Sequence, residues 1–135
     1  MPGLSKRNTF RKAEKLCSQI QIDKLFAEGK SFASGNFRLI YLESDVSKYA
    51  PVQVLIAVPK KQQRFAVNRN RMKRLIRESY RLCKHKLLDI YVNERIHCDI
   101  AFIFNGKKCV SQAETFTAIN VLLDRLILTH EKNSE

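Results

Sequence analysis

Residues 66–81 read AVNRNRMKRLIRESYR, and this stretch orders the rest of the chain. Advanced by about 100° per residue, Met72, Leu75, Ile76, Ser79 and Cys83 fall in one arc. Arg69, Lys73, Arg74, Arg77, Arg81 and Lys84 fall in another, with Asn70 in its middle and Arg71 on the far flank of the apolar stripe. The pattern predicts an amphipathic helix from about Asn68 to Leu88, apolar face inward and cationic face outward. Such an apolar stripe must cover something, and the flanking sequence supplies it.

Upstream lie two strand-like runs, Phe37-Arg38-Leu39-Ile40-Tyr41-Leu42 and Val52 to Val58, separated by a turn containing Asp45, Ser47 and Pro51. Alternation puts Phe37, Leu39 and Tyr41 on one face of the first run and Arg38 and Ile40 on the other. Before them a helix is predicted over Ser18–Glu28, capped by Ser18 and ended by a left-handed Gly29; Ile22, Leu25 and Phe26 share one of its faces. Downstream, Asp99 to Phe104 reads as a strand ended by Asn105-Gly106. Ser111 and Glu114 have capping-box spacing and open a last helix whose apolar face is Phe116, Ile119, Leu122, Leu123, Leu126 and Ile127. The order is helix, strands, helix, strand, helix. It predicts an α/β (α+β) two-layer sandwich, with about three helices packed on a small sheet. One domain over residues 13–129 is expected, with a basic arm over 1–12 (Lys6, Arg7, Arg11, Lys12) and a polar tail over 130–135.

Charge points to the partner. Lys and Arg number 25 against 13 Asp and Glu, a formal +12 on 135 residues. Such an excess makes most sense beside a polyanion. Between Lys60 and Arg77 stand eight basic residues and no acid: Lys60, Lys61, Arg64, Arg69, Arg71, Lys73, Arg74 and Arg77. Five are Arg, whose planar fork grips two phosphate oxygens at once. Arg69 and Arg71 stand in the first turn, where the helix dipole disfavours cations and a helix built for stability would carry Asp or Glu. A ligand that brings negative charge resolves the misplacement. Asn68 and Asn70 add donors and acceptors for sugar or base edges. A solvated charged face would mix signs, and this one does not until Glu78. A membrane-surface helix is disfavoured because the apolar arc is needed to cover the sheet.

No run of 18 apolar residues exists to span a membrane, and MPGLSKRNTFRK lacks the apolar stretch of a secretory signal, so a cytoplasmic home is expected. Cys17, Cys83, Cys98 and Cys109 show no CxxC spacing. Cys83–His85 and His97–Cys98 are close pairs without finger spacing, and no metal site is expected on this chain. Cys83 and Cys98 read as small buried hydrophobes.

Ala66 to Arg81, with its Arg69-Asn70-Arg71 core followed by Lys73-Arg74 and Arg77-Glu78, resembles the signature of the bacterial ribonuclease P protein family. The strand ending in Val58, then Lys60-Lys61, and the earlier Phe26…Gly29…Phe37 pattern resemble it too. The likeness spans roughly Phe10 to Leu128. Two departures are visible: the loop Gln62-Gln63-Arg64-Phe65 is one residue longer than usual and lacks the common glycine, and Ile22 stands where an aromatic is frequent. The resemblance implies a mostly antiparallel sheet with a left-handed strand–helix–strand crossover, against the usual hand. It implies a partner, the catalytic RNA subunit, and a substrate, precursor tRNA, hydrolysed at the 5′ end of the mature sequence. It implies Mg2+ held by that RNA, no organic cofactor and no catalytic residue on the protein; no obligate protein partner is inferred. RNA binding would fall to Lys60, Lys61, Arg64, Asn68, Arg69, Asn70, Arg71, Lys73, Arg74 and Arg77. A cleft for the single-stranded 5′ leader would be lined or underlain by Ile22, Phe26, Phe37, Arg38, Ile40 and Tyr41, with either sheet face open to the assignment.

Other classes fit less well. A ribosomal or other structured-RNA-binding protein on a similar sandwich is the alternative, separated by precursor tRNA processing. A protein nuclease needs clustered carboxylates or a His pair. The acids Asp23, Glu28, Glu43, Asp45, Glu78, Asp89, Glu94 and Asp99 form no obvious constellation, and His85, His97 and His130 stand on different elements. A DNA-binding regulator would show helix-turn-helix spacing, which is absent.

Overall fold

Strict alternation along the strand runs makes a two-faced sheet, and a computed structural model describing residues 12–45 and 51–134 shows how each face is covered. Strands β1 (Lys30–Ser34), β2 (Phe37–Asp45), β3 (Val52–Ala57) and β4 (Ile96–Phe104) pair in the order β1-β2-β4-β3. The β1/β2 and β2/β4 pairs are antiparallel; β3/β4 is parallel. Helices α1 (Gln19–Glu28), α2 (Ala66–Cys83), α3 (His85–Glu94) and α4 (Gln112–Ser134) complete the fold, α2 and α3 forming the crossover between parallel neighbours β3 and β4.

Register sorts the side chains. Leu39 lies opposite Phe32 and Phe102, Tyr41 opposite Ile100, and Val54 opposite Ile100. These residues, with Phe37, Val52, Cys98 and Phe104, form the face that α2, α3 and α4 cover through Met72, Ile76, Tyr80, Leu87, Tyr91, Ile119, Leu122 and Leu126. The main core sits here. On the other face Ala101 packs under Leu16 and Leu25, with Ile22, Ile40, Leu42 and Leu55 half-buried around them.

The predicted helix over 68–88 is two helices, so the described residues hold four α-helices and not about three. The break falls at Lys84, which is only 2% exposed and pairs with Glu14 at 2.8 Å. Glu14 belongs to a 3-10 turn (Lys12–Glu14) that leads into a single bridge between Lys15 and Val54. Lys84 is therefore buried against an acid 70 positions away, not part of the outward cationic arc.

The caps show local chemistry at work. The Ser18 hydroxyl accepts from the Gln21 N–H at 3.4 Å, and Ser111 Oγ accepts from the Glu114 N–H at 3.1 Å. Gly29 closes α1, but in extended backbone (φ −69°, ψ 154°), not left-handed. Glycine is required there by proximity: a Cβ would sit 2.4 Å from Leu25 O and 2.8 Å from Ile40 Cγ2. The left-handed glycine is Gly35, φ +60°, in the two-residue turn joining β1 to β2.

At the far end α4 stays helical to Ser134, where a polar tail from 130 was expected. His130 is buried, its Nδ1 2.6 Å from Glu43 Oε2 and its Nε2 3.0 Å from Glu94 Oε2. The Tyr91 hydroxyl donates to the same Glu43 oxygen at 2.5 Å. Only the doubly protonated ring can donate to both carboxylates. Burial opposes that charge, but Glu94 and Glu43 outweigh it and hold the His130 pKa above its ordinary value. Cys98 is buried and its thiol pushed up by burial, which leaves it inert; all four cysteines are free. Residues 1–11, nearly all of the basic arm, and 46–50 of the predicted turn lie outside the described residues.

Candidate RNA-binding surface

The cationic segment begins as the loop after β3. Lys60, Lys61 and Arg64 are exposed there, while Gln63 is buried and donates through Nε2 to Gly106 O at 3.0 Å. That bond stitches the loop to the connection between β4 and α4. Cys109 Sγ, 3.8 Å from Asn68 O, makes a second stitch. The β4–α4 connection thereby carries exposed Lys107 and Lys108 to the same end of the molecule. Those two lysines were not singled out from the sequence; the only signal for them was a basic pair directly after a strand-ending Asn-Gly.

Helix α2 starts at Phe65, whose φ −90° and ψ 130° are those of an N-cap but whose side chain offers no cap hydrogen bond. No acid stands in the first turn. Beyond it Asn70, Arg71, Arg74 and Arg77 are exposed; Asn68, Arg69 and Lys73 are half-buried. Arg69 Nη1 donates to Gln63 O at 3.0 Å and Arg64 O at 2.9 Å, so its guanidinium braces the loop from inside. At the other end Arg81 pairs with Glu78 at 2.7 Å, and Lys84 with Glu14. The one-signed exposed face is therefore narrower than the helical wheel implied: Asn70, Arg71, Arg74 and Arg77, preceded by Lys60, Lys61 and Arg64. Guanidiniums one helical turn apart, uncovered and without acids between them, can each hold a phosphate.

The six cleft candidates separate by face. Phe37 and Tyr41 belong to the main core under the helices, with Phe37 tilted against Phe104 at 4.9 Å and Tyr41 stacked on Phe32 at 5.5 Å between ring centroids. They can underlie a cleft but cannot line one. Arg38, Ile40, Ile22 and Phe26 serve the opposite face. Register extends that face into two rows, Ala33–Arg38–Ile103–Ala57 and Ser31–Ile40–Ala101–Leu55. Helix α1 covers the second row through Leu25, whereas in the first row Ala33 and Arg38 are exposed and Ile103 and Ala57 half-buried. Phe26 is 47% exposed and belongs to neither core cluster. A half-covered apolar face results, walled by α1 and edged by Arg38. The β3 edge that carries Ala57 runs directly into Lys60 and Lys61. Among the described residues, no three His, Cys, Asp or Glu side chains are grouped so that they could hold a metal ion.

Fold and surface together define a basic α+β protein of the RNA-binding class. The chain belongs to the ribonuclease P protein family: the family model described as Ribonuclease P matches residues 10–126. Among curated relatives, the ribonuclease P protein component of Chlorobaculum tepidum is 38% identical, with 96% of each chain covered. That of Porphyromonas gingivalis is 41% identical over 92 residues, 68% of this chain and 67% of the relative. Among solved structures, the Thermotoga maritima RNase P protein superposes with a TM-score of 0.64 at 24% identity, covering 83% of this chain and 96% of the other. A Staphylococcus aureus RNase P protein gives 0.62 at 21% identity, covering 85% and 96%. At those identities the structural likeness speaks for the fold alone. Family membership makes this chain the protein component of an endoribonuclease that is a ribonucleoprotein, with an RNA subunit as its partner.

Proposed function

We propose that the exposed cationic face of α2 binds the catalytic RNA subunit, and that the half-covered sheet face beside α1 holds the single-stranded 5′ leader of precursor tRNA. The observation that carries the reading is that one chain presents both surfaces, on opposite faces of one sheet joined where β3 runs into Lys60 and Lys61: a one-signed row of Asn70, Arg71, Arg74 and Arg77, and an apolar face edged by Arg38 with Phe26 half-exposed on α1. The first suits a structured phosphate backbone. The second suits unpaired bases, which stack on apolar and aromatic surface without regard to sequence. The chain removes no bond by itself in this reading. It positions substrate and relieves repulsion between two polyanions, in the cytoplasm where precursor tRNA is made.

Hydrolysis of a phosphodiester commonly uses divalent ions held by carboxylates or phosphates. The donor set on this chain does not fit that task, since the strongest field near the RNA-facing surface comes from cations. Mg2+ is accordingly assigned to the RNA. The test measures affinity of the assembled enzyme for precursor and for mature tRNA with Phe26→Leu and with Arg38→Ala. Each should weaken precursor binding more than mature tRNA binding; equal effects on both would remove the leader from this face.

A further inference from the structure

Phe65 is the residue the fold explains least. It occupies the N-cap of α2, where the side chain of Ser, Thr, Asp or Asn would accept a first-turn N–H, and its own side chain makes no cap hydrogen bond. Its ring is 66% exposed, the most open aromatic among the described residues, and it joins neither core cluster. Two residues on, Val67 is 78% exposed on the same arc as Asn70, Arg71 and Arg74. Two bulky apolar side chains thus stand in the most cationic part of the surface. The Arg64 guanidinium lies over one face of the Phe65 ring, 5.9 Å from its centroid.

We propose that Phe65, backed by Arg64, is a stacking site for one unpaired base of the RNA subunit that α2 binds. The inference rests on the RNA-binding reading of α2 and adds a base contact to what is otherwise a phosphate-binding face. Charge complementarity selects the occupant. No acid lies between Lys60 and Arg77, Arg64 lies over the ring, and Lys60, Lys61 and Arg71 are exposed on the same segment, so a ligand reaching this ring meets an excess of cations. A nucleotide does: its base covers the free ring face and its phosphate falls among Lys61, Arg64 and Arg71. The base must be unpaired, because bases inside an A-form duplex present no open face. An acidic protein segment is the competing occupant.

The chain contains no tryptophan, so F65W introduces a single fluorophore at the site. The experiment titrates full-length F65W with the ribonuclease P RNA of the same genome, and compares binding by wild type and F65S. Stacking predicts quenching of the F65W emission on RNA binding, with affinity within about twofold of wild type. F65S should bind about 5- to 150-fold more weakly, the range that one base stack supplies. Its melting temperature should be equal or higher, since Ser caps the helix that Phe leaves uncapped. Its salt slope should equal that of wild type, because no phosphate contact is lost. Bound RNA with no quenching, or F65S binding like wild type, overturns the stacking site and leaves the α2 reading standing. Quenching that appears only when precursor tRNA is added overturns the assignment to the RNA subunit. Failure of wild type to bind the RNA at all overturns both readings.

Discussion

Arg69 and Arg74 stand five residues apart on one helix and have different tasks. Arg69 turns inward and holds the 59–64 loop through two carbonyls; Arg74 points to solvent. Arg74→Ala and Arg77→Ala should leave folding unchanged, weaken RNA binding, and reduce the salt slope by about 0.7–0.9 per lost phosphate contact. Arg69→Ala should lower the melting temperature as well, because one part-buried and one exposed carbonyl of the loop lose their donor, at about 0.5–1.5 kcal/mol for each bond. Binding isotherms across a salt series, read beside thermal melts, separate the two classes; an Arg74→Ala slope equal to wild type would remove Arg74 from the interface. The residue types of the signature were plain in the sequence, and so was their phosphate chemistry. Which guanidiniums stay free was not, since that depends on Gln63 O for Arg69 and on Glu14 for Lys84, partners no helical wheel contains. The same holds for Phe37 and Tyr41. Alternation separated them from Arg38 and Ile40, but only the packing of α4 and α2 on one face decided which set is buried. At Gly29 the decision is steric: Gly29→Ala drives a methyl into Leu25 O and Ile40 Cγ2, and should destabilise by about 1–3 kcal/mol in urea unfolding.

Elements with their own punctuation could be read from the sequence, and elements without it could not. Ser18 and Ser111 announce α1 and α4 because a cap is a short-range bond. Nothing local announces the end of α2: Cys83-Lys84-His85 has no Gly or Pro, and Leu87 and Leu88 continue the apolar stripe. What coincides with the break is a tertiary contact, the buried Lys84–Glu14 pair. The end of α3 is equally silent, since its left-handed cap is Arg95, φ 56°, and not a glycine. Strand β1, KSFAS, was passed over because its one large apolar residue, Phe32, gives no alternation to read. Glu14→Ala should destabilise the fold by removing the carboxylate that faces the buried Lys84 ammonium, at about 3–5 kcal/mol as an upper range, whereas replacing both by Met should recover most of the loss. Equal stability of Glu14→Ala and wild type would show that the pair does not fix the break. The far end of α4 depends on pH. His130 has a raised folded pKa, so its contribution is full below the unfolded value of about 6.5 and is lost as pH rises through the folded value. Wild type should therefore lose urea resistance between pH 6 and pH 9 relative to His130→Gln, whose difference from wild type should shrink over the same range. A constant difference would mean that the ring has the same pKa folded and unfolded, and a gain of wild type over the variant as pH rises would mean that the ring is neutral in the fold.

For the whole molecule the argument turns on where the charge is and where it is not. The chain carries +12, and its segment from Lys60 to Arg77 contains no acid. A divalent ion approaching that segment is repelled, while a phosphate backbone is drawn in. Five of the 13 acids are engaged in holding the fold: Glu14 with Lys84, Glu43 and Glu94 with His130, Asp99 with His97 at 2.6 Å, and Asp124 with Lys86. In the reading proposed above, water activation and leaving-group stabilisation fall to the RNA, whose phosphates can hold the ions both require. The expected outcome is that purified protein alone cleaves no precursor tRNA and that RNA with Mg2+ restores specific cleavage. A second consequence follows from the same electrostatics. If the chain relieves repulsion between catalytic RNA and substrate, then high salt or high Mg2+ should partly replace it, because both screen phosphates from one another. The rate advantage conferred by the protein should be large at low Mg2+ and shrink steadily along a magnesium series. The residue variants sharpen the test: if the proposed assignments hold, Arg74→Ala should lose most of its defect at high Mg2+, while Phe26→Leu, which would act through stacking and not through charge, should keep its defect. Robust, specific cleavage by nuclease-free protein without RNA would place the chemistry on this chain. A protein effect independent of Mg2+ would instead locate its contribution in contacts other than charge relief.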